Sequence, residues 1–398
     1  MKLSLNARAA LVGLVGALGA LVLFRSSRGS APSDPDAVVP RDSFLVATVD
    51  LAELRRSPVY ETVLGREASK RAGATSLPTR ALGMANLAEA CGFDPLSRVD
   101  KLAVAVPEEE GDRGDFGVAA KVQVTREELE KCTKALGSQH AGDNRTHDVG
   151  PFAVIEDPGG RKLGYASSGL LVVGKGSWFD TMLAVGAQKK PSLRDASEHV
   201  ALRSTLTGRE GWSKPTVLVT ALLPRSLRDR LKKEMAAEEP SGDASASIMA
   251  GVLGVSAAGV AIRAGAAGEN LDARFELVCD SAESCTSVQK LIQRKRLEWS
   301  KDIALRMVGF GALIDSLDVR VEGTALHASL STSANALAAA IDRALRFRAH
   351  KTEEPTTPPP AQPREGAHEG ERILARDAGQ GAGPAQQAGQ AGRAGRDE

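Results

Sequence analysis

Gly169-Leu-Leu-Val-Val-Gly174-Lys175-Gly176-Ser177 is the stretch closest to a nucleotide site, with the glycine and lysine spacing of a phosphate-binding loop. Gly176, however, stands where Ser or Thr must meet magnesium, and the residues that should wrap phosphate, Leu170 to Val173, read as strand. The glycines are therefore read as shaping a strand-to-helix turn. His140, Asp143, His147 and Asp148 form a second candidate, in a polar stretch read as a loop between a helix and a strand. Their spacing matches no ligand pair on a rigid helix, so no metal is expected there. No G-x-S-x-G elbow occurs, Ser167-Ser168-Gly169 reads as a hairpin turn, and no carboxylate pair stands out for glycoside hydrolysis. His327, between Leu326 and Ala328, reads as a strand-face residue, and Arg113-Gly114-Asp115 as an ordinary turn rather than an adhesion site. No catalytic, cofactor-binding or metal-ligating residue is assigned, and no cofactor is expected.

Two other sets of side chains carry chemistry of a milder kind. The four cysteines, Cys91, Cys132, Cys279 and Cys285, are even in number and suit an oxidising compartment. Disulfides Cys279–Cys285 and Cys91–Cys132 are both within geometric reach, with free buried thiols as the alternative. Arg225, Arg228, Arg230, Lys232 and Lys233 on one helix, and Lys290, Arg294, Lys295 and Arg296 on another, lie opposite apolar stripes. Such runs are usually solvated faces. If both lie on one side of the protein, they could touch anionic lipid headgroups.

These residues need elements to hold them, and the periodicity supplies a repeating set. The strand SFLVATVD (Ser43 to Asp50) leads into a helical stretch with Ser57-Pro58 as a cap and first-turn proline. A helix ending at Cys91-Gly92 follows, then strands Leu102 to Val106 and Phe116 to Val124, and a helix opened by the Thr125/Glu128 capping box. Strands FAVIE and LLVVG, read as joined across Asp157-Pro158-Gly159-Gly160, precede a helix over Ser177 to Val185. The second half runs in the same order: Thr216 to Leu223, helices SLRDRLKKEM and SIMAGVL, strands VSAAGVAIRA and LDARFELVC, and a helix from Ser281 toward Trp299. It closes with a hairpin, LDVRV and LHASL, and a helix over Ser333 to Phe347. The expected fold is α+β, a tandem duplication of a β-α-α-β-β-α-β-β-α unit with mainly antiparallel sheets and helices packed on one face. Cys132 and Cys285 fall at matching places in the two copies.

The division expected from this reading is 1–25 anchor or signal, 26–41 linker, 42–190 first unit, 191–213 connector, 214–348 second unit and 349–398 disordered tail. The leader rests on the apolar run Ala9 to Phe24 behind Lys2 and Arg8, just short of the roughly 17 to 25 residues that span a bilayer. Arg25 and Arg28 follow at once, which favours an uncleaved anchor. They compete with Lys2 and Arg8 over orientation, but no second apolar stretch could bring the chain back, so the bulk is expected outside the cytoplasm, anchored in the inner membrane or secreted to the periplasm. The tail has no apolar periodicity to offset the entropy of ordering. Composition is globular, with 42% hydrophobic and 25% charged residues, but aromatics are only 4% and the net charge is +1. A nucleic-acid partner is thereby disfavoured, since phosphate binding needs a positive excess and base stacking needs aromatic faces.

The segment Pro-Arg-Asp-Ser-Phe-Leu-Val-Ala-Thr-Val-Asp-Leu, residues 40–51, resembles the opening of uncharacterised exported, membrane-anchored bacterial proteins. That resemblance implies an envelope location and no chemistry. The expected function is a non-enzymatic envelope protein whose duplicated domain binds a partner protein or an apolar ligand between its two units. A cell-surface hydrolase and an anionic-lipid surface module are the alternatives, and the oligomeric state is left open.

Overall fold

Strand β1 (Ser43–Asp50) shows how the sheet is built. Val46 and Thr48 alternate with Leu45, Ala47 and Val49, so the strand presents apolar side chains to both faces and must sit centrally. It does: β2 (Val99–Pro107) pairs with it on one side and β8 (Val217–Leu222) on the other, both antiparallel. The computed structural model describes residues 31–62, 91–94, 97–107, 115–137, 145–156, 162–174, 176–208, 212, 214–237, 251–266 and 268–352. The expected anchor, most of the expected tail, the SIMAGVL helix up to residue 250, and Arg113, Gly114, His140, Asp143 and Lys175 lie outside them.

From the β1/β8 seam the first half continues outward through β2, β3 (Gly117–Val122), β7 (Leu170–Gly174), β6 (Lys162–Ala166), β5 (Phe152–Glu156) and β4 (Arg145–Val149). The second half continues through β9 (Val255–Arg263), β10 (Asn270–Cys279), β12 (Ala325–Ser333) and β11 (Asp318–Glu322). The fold is α+β with an antiparallel sheet, and the repeated order is present: β2, β3, β7 and β6 occupy the places of β9, β10, β12 and β11. The twelve strands found among the described residues belong to one sheet that runs through both copies. The hairpin β4–β5 has no counterpart among the described residues of the second half. FAVIE pairs with β6, and β6 with LLVVG, so the expected direct hairpin has an extra strand inside it.

Helices lie on both faces, not one. On the first face, α2 (Ser177–Gly186) packs Trp178, Phe179, Met182 and Leu183 against Ala119, Val154, Ala166 and Val172. α3 (Ser197–Thr207) places Leu202 and Leu206 beside Leu218 and Ala261. On the opposite face, α1 (Arg126–Gly137) sets Leu129 among Val122, Val124 and Ile155. α5 (Ala282–Lys301) sets Cys285 and Val288 among Val255, Leu326 and Ala328. Between them in sequence runs α4 (Arg225–Ala237), and after α5 come α6 (Ile303–Val308), α7 (Gly311–Asp315) and α8 (Ala334–Thr352). Glycine is required where α2 meets the sheet: a Cβ at Gly164 would stand 2.8 Å from the Leu183 side chain. Each large apolar side chain buried this way contributes on the order of 1.5–3 kcal/mol.

The segment expected as a linker is partly structural, since Val38 and Val39 are fully buried. The expected connector contains α3 and a capped turn, Leu193–Asp195. Helix α8 carries the backbone to Thr352, past the expected start of the tail at 349.

Candidate functional site

The strand β10 reads Leu271-Asp-Ala-Arg-Phe-Glu-Leu, apolar at every other position and charged between. Phe275 and Leu277 face α5, so Asp272, Arg274 and Glu276 face the other way, onto the side of the sheet that carries α2 and α3. Pairing aligns Glu276 with His327, Arg274 with Ser329 and Asp272 with Ser331 on β12. It also aligns His327 with Arg320 on β11. These side chains floor a cleft of about 460 Å³ walled at one end by Trp212, Thr205 and Leu206.

Electrostatic pairing organises the floor. His327 Nδ1 lies 2.5 Å from Glu276 Oε2, and its Nε2 is 3.8 Å from Glu322 Oε2. Glu276 is only 6% exposed, so its charge depends on such neighbours. Arg263 meets Asp272 at 2.5 Å, and Ser331 Oγ donates to the same carboxylate at 2.6 Å. The Arg274 guanidinium lies 4.0 Å over the Trp212 ring and Arg263 5.6 Å over it. Arg320, paired with Asp318 at 2.8 Å, stands at the exposed edge. The cleft thus offers guanidinium and carboxylate groups side by side and an aromatic wall, which suits a ligand carrying charges of both signs.

A histidine held by a buried carboxylate supplies two members of a catalytic triad. The third, a Ser or Cys hydroxyl or thiol bonded to Nε2, is not found among the described residues, where that nitrogen faces Glu322. Nor do the described residues hold a group of three or more His, Cys, Asp or Glu side chains that could bind a metal.

A different histidine holds the seam. His199 on α3 is fully buried, its Nε2–H donating to the Ser43 carbonyl at 2.8 Å while Nδ1 accepts from the Thr220 hydroxyl at 2.8 Å. One imidazole therefore ties α3 to β1 and β8 together. Burial pushes its pKa below the ordinary value, against the opposing effect of the Ser43 bond. Beside it Asp36 accepts from Arg203 at 3.1 Å and from Thr48 at 2.7 Å. Lys101 bonds Asp34 at 2.9 Å; burial opposes the Asp34 charge, but the ammonium outweighs it and holds the carboxyl below its usual range.

The residues singled out from sequence are distributed as follows. Cys91 is bonded to Cys132 and Cys279 to Cys285. Leu170–Gly174 is strand β7, and Gly176, at φ 64°, forms the turn into α2 against Asp115. His147 and Asp148 belong to β4 rather than to a loop. Of the basic residues, Arg225, Lys233, Lys290 and Arg294 are exposed. Arg228 is instead turned inward to Asp280 and the Leu253 carbonyl, and Lys295 pairs with Glu298 at 2.8 Å. The Lys232 side chain lies outside the described portion. Sequence reasoning missed Glu276, Arg274 and Trp212 altogether; the signal available was a strand with charges at alternate positions in a domain expected to bury its sheet. The two copies join along a hydrogen-bonded seam, β1 to β8.

Among the described residues no helix is long and apolar enough to cross a membrane. No family model matches the sequence, and no curated protein matches it. Among solved structures, TP0453 in crystal form III is similar at a TM-score of 0.40 and 13% identity, over 79% of this chain and 99% of that one. TP0453 in crystal form IV is similar at a TM-score of 0.40 and 13% identity, over 78% of this chain and 98% of that one.

Proposed function

We propose that this is a non-enzymatic cell-envelope protein, held outside the cytoplasm by the apolar segment Ala9 to Phe24, that binds a polar ligand of mixed charge on the open sheet face of its second half. The reading is carried by one observation: a cleft of about 460 Å³ floored by the Glu276–His327 pair and walled by Arg274 stacked on Trp212. Its polarity argues against the apolar ligand that the sequence pointed to. The extracytoplasmic location is supported by the two cysteine pairs, which belong in an oxidising compartment.

The test is native mass spectrometry of the full chain, purified gently from its own envelope, beside the double variant Arg320→Glu/His327→Ala. Extra mass on the native chain that the variant lacks supports the reading. Bare chain in both cases sinks it.

The 2.5 Å Glu276–His327 contact favours a second reading, a surface hydrolase in which His327 acts as general base on water. Ester or amide turnover abolished by His327→Ala and retained in Ser329→Ala would support that reading; no turnover above background would end it.

A further inference from the structure

Ile303 and Met307 are 73% and 66% exposed and, four residues apart, share one face of α6. Leu297 and Trp299, at the end of α5 just before it, are 63% and 49% exposed. Single exposed apolar residues need no explanation, but four large ones within residues 297–307 form a concentration that does.

The same stretch is strongly basic. Residues 290–307 carry Lys290, Arg294, Lys295, Arg296, Lys301 and Arg306 against only Glu298 and Asp302, in a chain whose net charge is +1. Both carboxylates are engaged: Glu298 pairs with Lys295 at 2.8 Å, and Asp302 caps α6 by accepting from the Ala304 and Leu305 amides at 2.8 and 3.1 Å. Arg306 turns to Asp315, and Arg296 donates to the Asp315 carbonyl at 2.9 Å. That leaves Lys290, Arg294 and Lys301, all exposed, as the source of the positive field. At spacings of four and seven they fall on one stripe of α5, with Leu297 between them.

We propose that the end of α5 and the exposed face of α6 dock onto an anionic lipid surface, Ile303 and Met307 entering the boundary between headgroups and acyl chains while Lys290, Arg294 and Lys301 meet headgroup phosphates. Apolar side chains flanked by cations are what that interface binds. Charge decides against a second copy of the chain as the occupant, because apposing this face to itself sets like charges opposite one another. Lys290, Arg294, Leu297 and Lys301 lie on the side of α5 opposite Cys285 and Val288, and α5 itself covers the sheet face opposite the polar cleft, so this inference is independent of that cleft. It also narrows the basic area expected from sequence, since Arg228 is taken by Asp280.

An indole placed on the cationic stripe makes the surface testable in the full chain: Leu297→Trp in a Trp299→Phe background, where the other tryptophans, Trp178 and Trp212, are only 6% and 5% exposed. The protein is reconstituted into vesicles of phosphatidylcholine with phosphatidylglycerol, brominated on the acyl chains, and into brominated phosphatidylcholine alone. Emission is compared at equal amounts of vesicle-bound protein, so quenching differences report docking and not capture. Quenching is expected in the anionic vesicles, to be absent when Trp299→Phe is made without Leu297→Trp, and to weaken as salt is raised. Lys290→Gln/Arg294→Gln/Lys301→Gln should weaken docking on the order of a hundredfold. Ile303→Ser/Met307→Ser should abolish quenching through the apolar contact. Equal emission in the two vesicle types, or quenching untouched by both multiple variants, overturns the proposal. A concentration-dependent dimer that hides the introduced indole overturns it as well.

Discussion

The two halves of the sheet present the same face to opposite fates. In the first half, the helix that follows the closing strand, α2, lies back over the sheet and buries Phe152, Leu170, Phe179 and Met182. In the second half the corresponding helix, α8, runs instead toward α6 and the helical turn Pro58–Tyr60. The strands it leaves uncovered carry Asp272, Arg274, Glu276 and His327 at the positions facing that side. A sheet face without a helix must be wetted, and an apolar one of that size would be an aggregation site. Where a duplicated helix goes therefore decides the chemistry of the strands beneath it: a core in one copy, a cleft in the other.

The difference can be broken most severely in the covered half. Phe179→Ala should lower unfolding free energy by about 3–5 kcal/mol in urea titration, because the cavity opens against a close-packed sheet. The disulfides separate the halves less strongly. Cys91–Cys132 spans 41 residues and Cys279–Cys285 only 6. Chain-entropy reasoning then assigns about 4 kcal/mol to the first and about 2 kcal/mol to the second, measurable by comparing the two Cys→Ser double variants.

At the seam the comparison sharpens through pH. His199 titrates lower in the folded chain than in the unfolded one, so its contribution is complete above pH ~6.5 and is lost as pH falls. Stability should decline below that pH by up to about 1.4 kcal/mol per unit, and His199→Gln should flatten the decline while lowering the plateau. Smallest of all is the expected effect on the open face. Arg320→Ala should stay within about 0.5 kcal/mol of the native chain in thermal melts, yet remove ligand mass in native spectra.

Much of this fold is legible in sequence where alternation is strong. β1 is read end to end, and β8 to β11 are placed within a residue or two, because each shows a period of two with apolar residues on at least one face; β12 is found but read three residues short, because its end, Ser331-Thr-Ser333, is polar. β4, Arg-Thr-His-Asp-Val, escapes because it is a mostly exposed edge strand with no apolar stripe to betray it. α3 escapes because its core contact includes a histidine, and His199 counts as polar until its partners on β1 and β8 are known. α6 escapes for the opposite reason: its apolar residues face outward. The placement of helices on both faces, and the meeting of Glu276 with His327 across 51 positions, depend on register and chain direction, which periodicity does not encode.

The β1/β8 seam bears on how the chain is born. A polypeptide emerges amino terminus first, so β1 exists with β2 long before β8 is made. Until then its unpaired amides and carbonyls, flanked by Leu45, Ala47 and Val49, form a long apolar edge of the kind that recruits foreign strands. The nascent first half is thus an incomplete object that needs shielding, and cutting the chain between its copies yields two sticky fragments in place of two small domains.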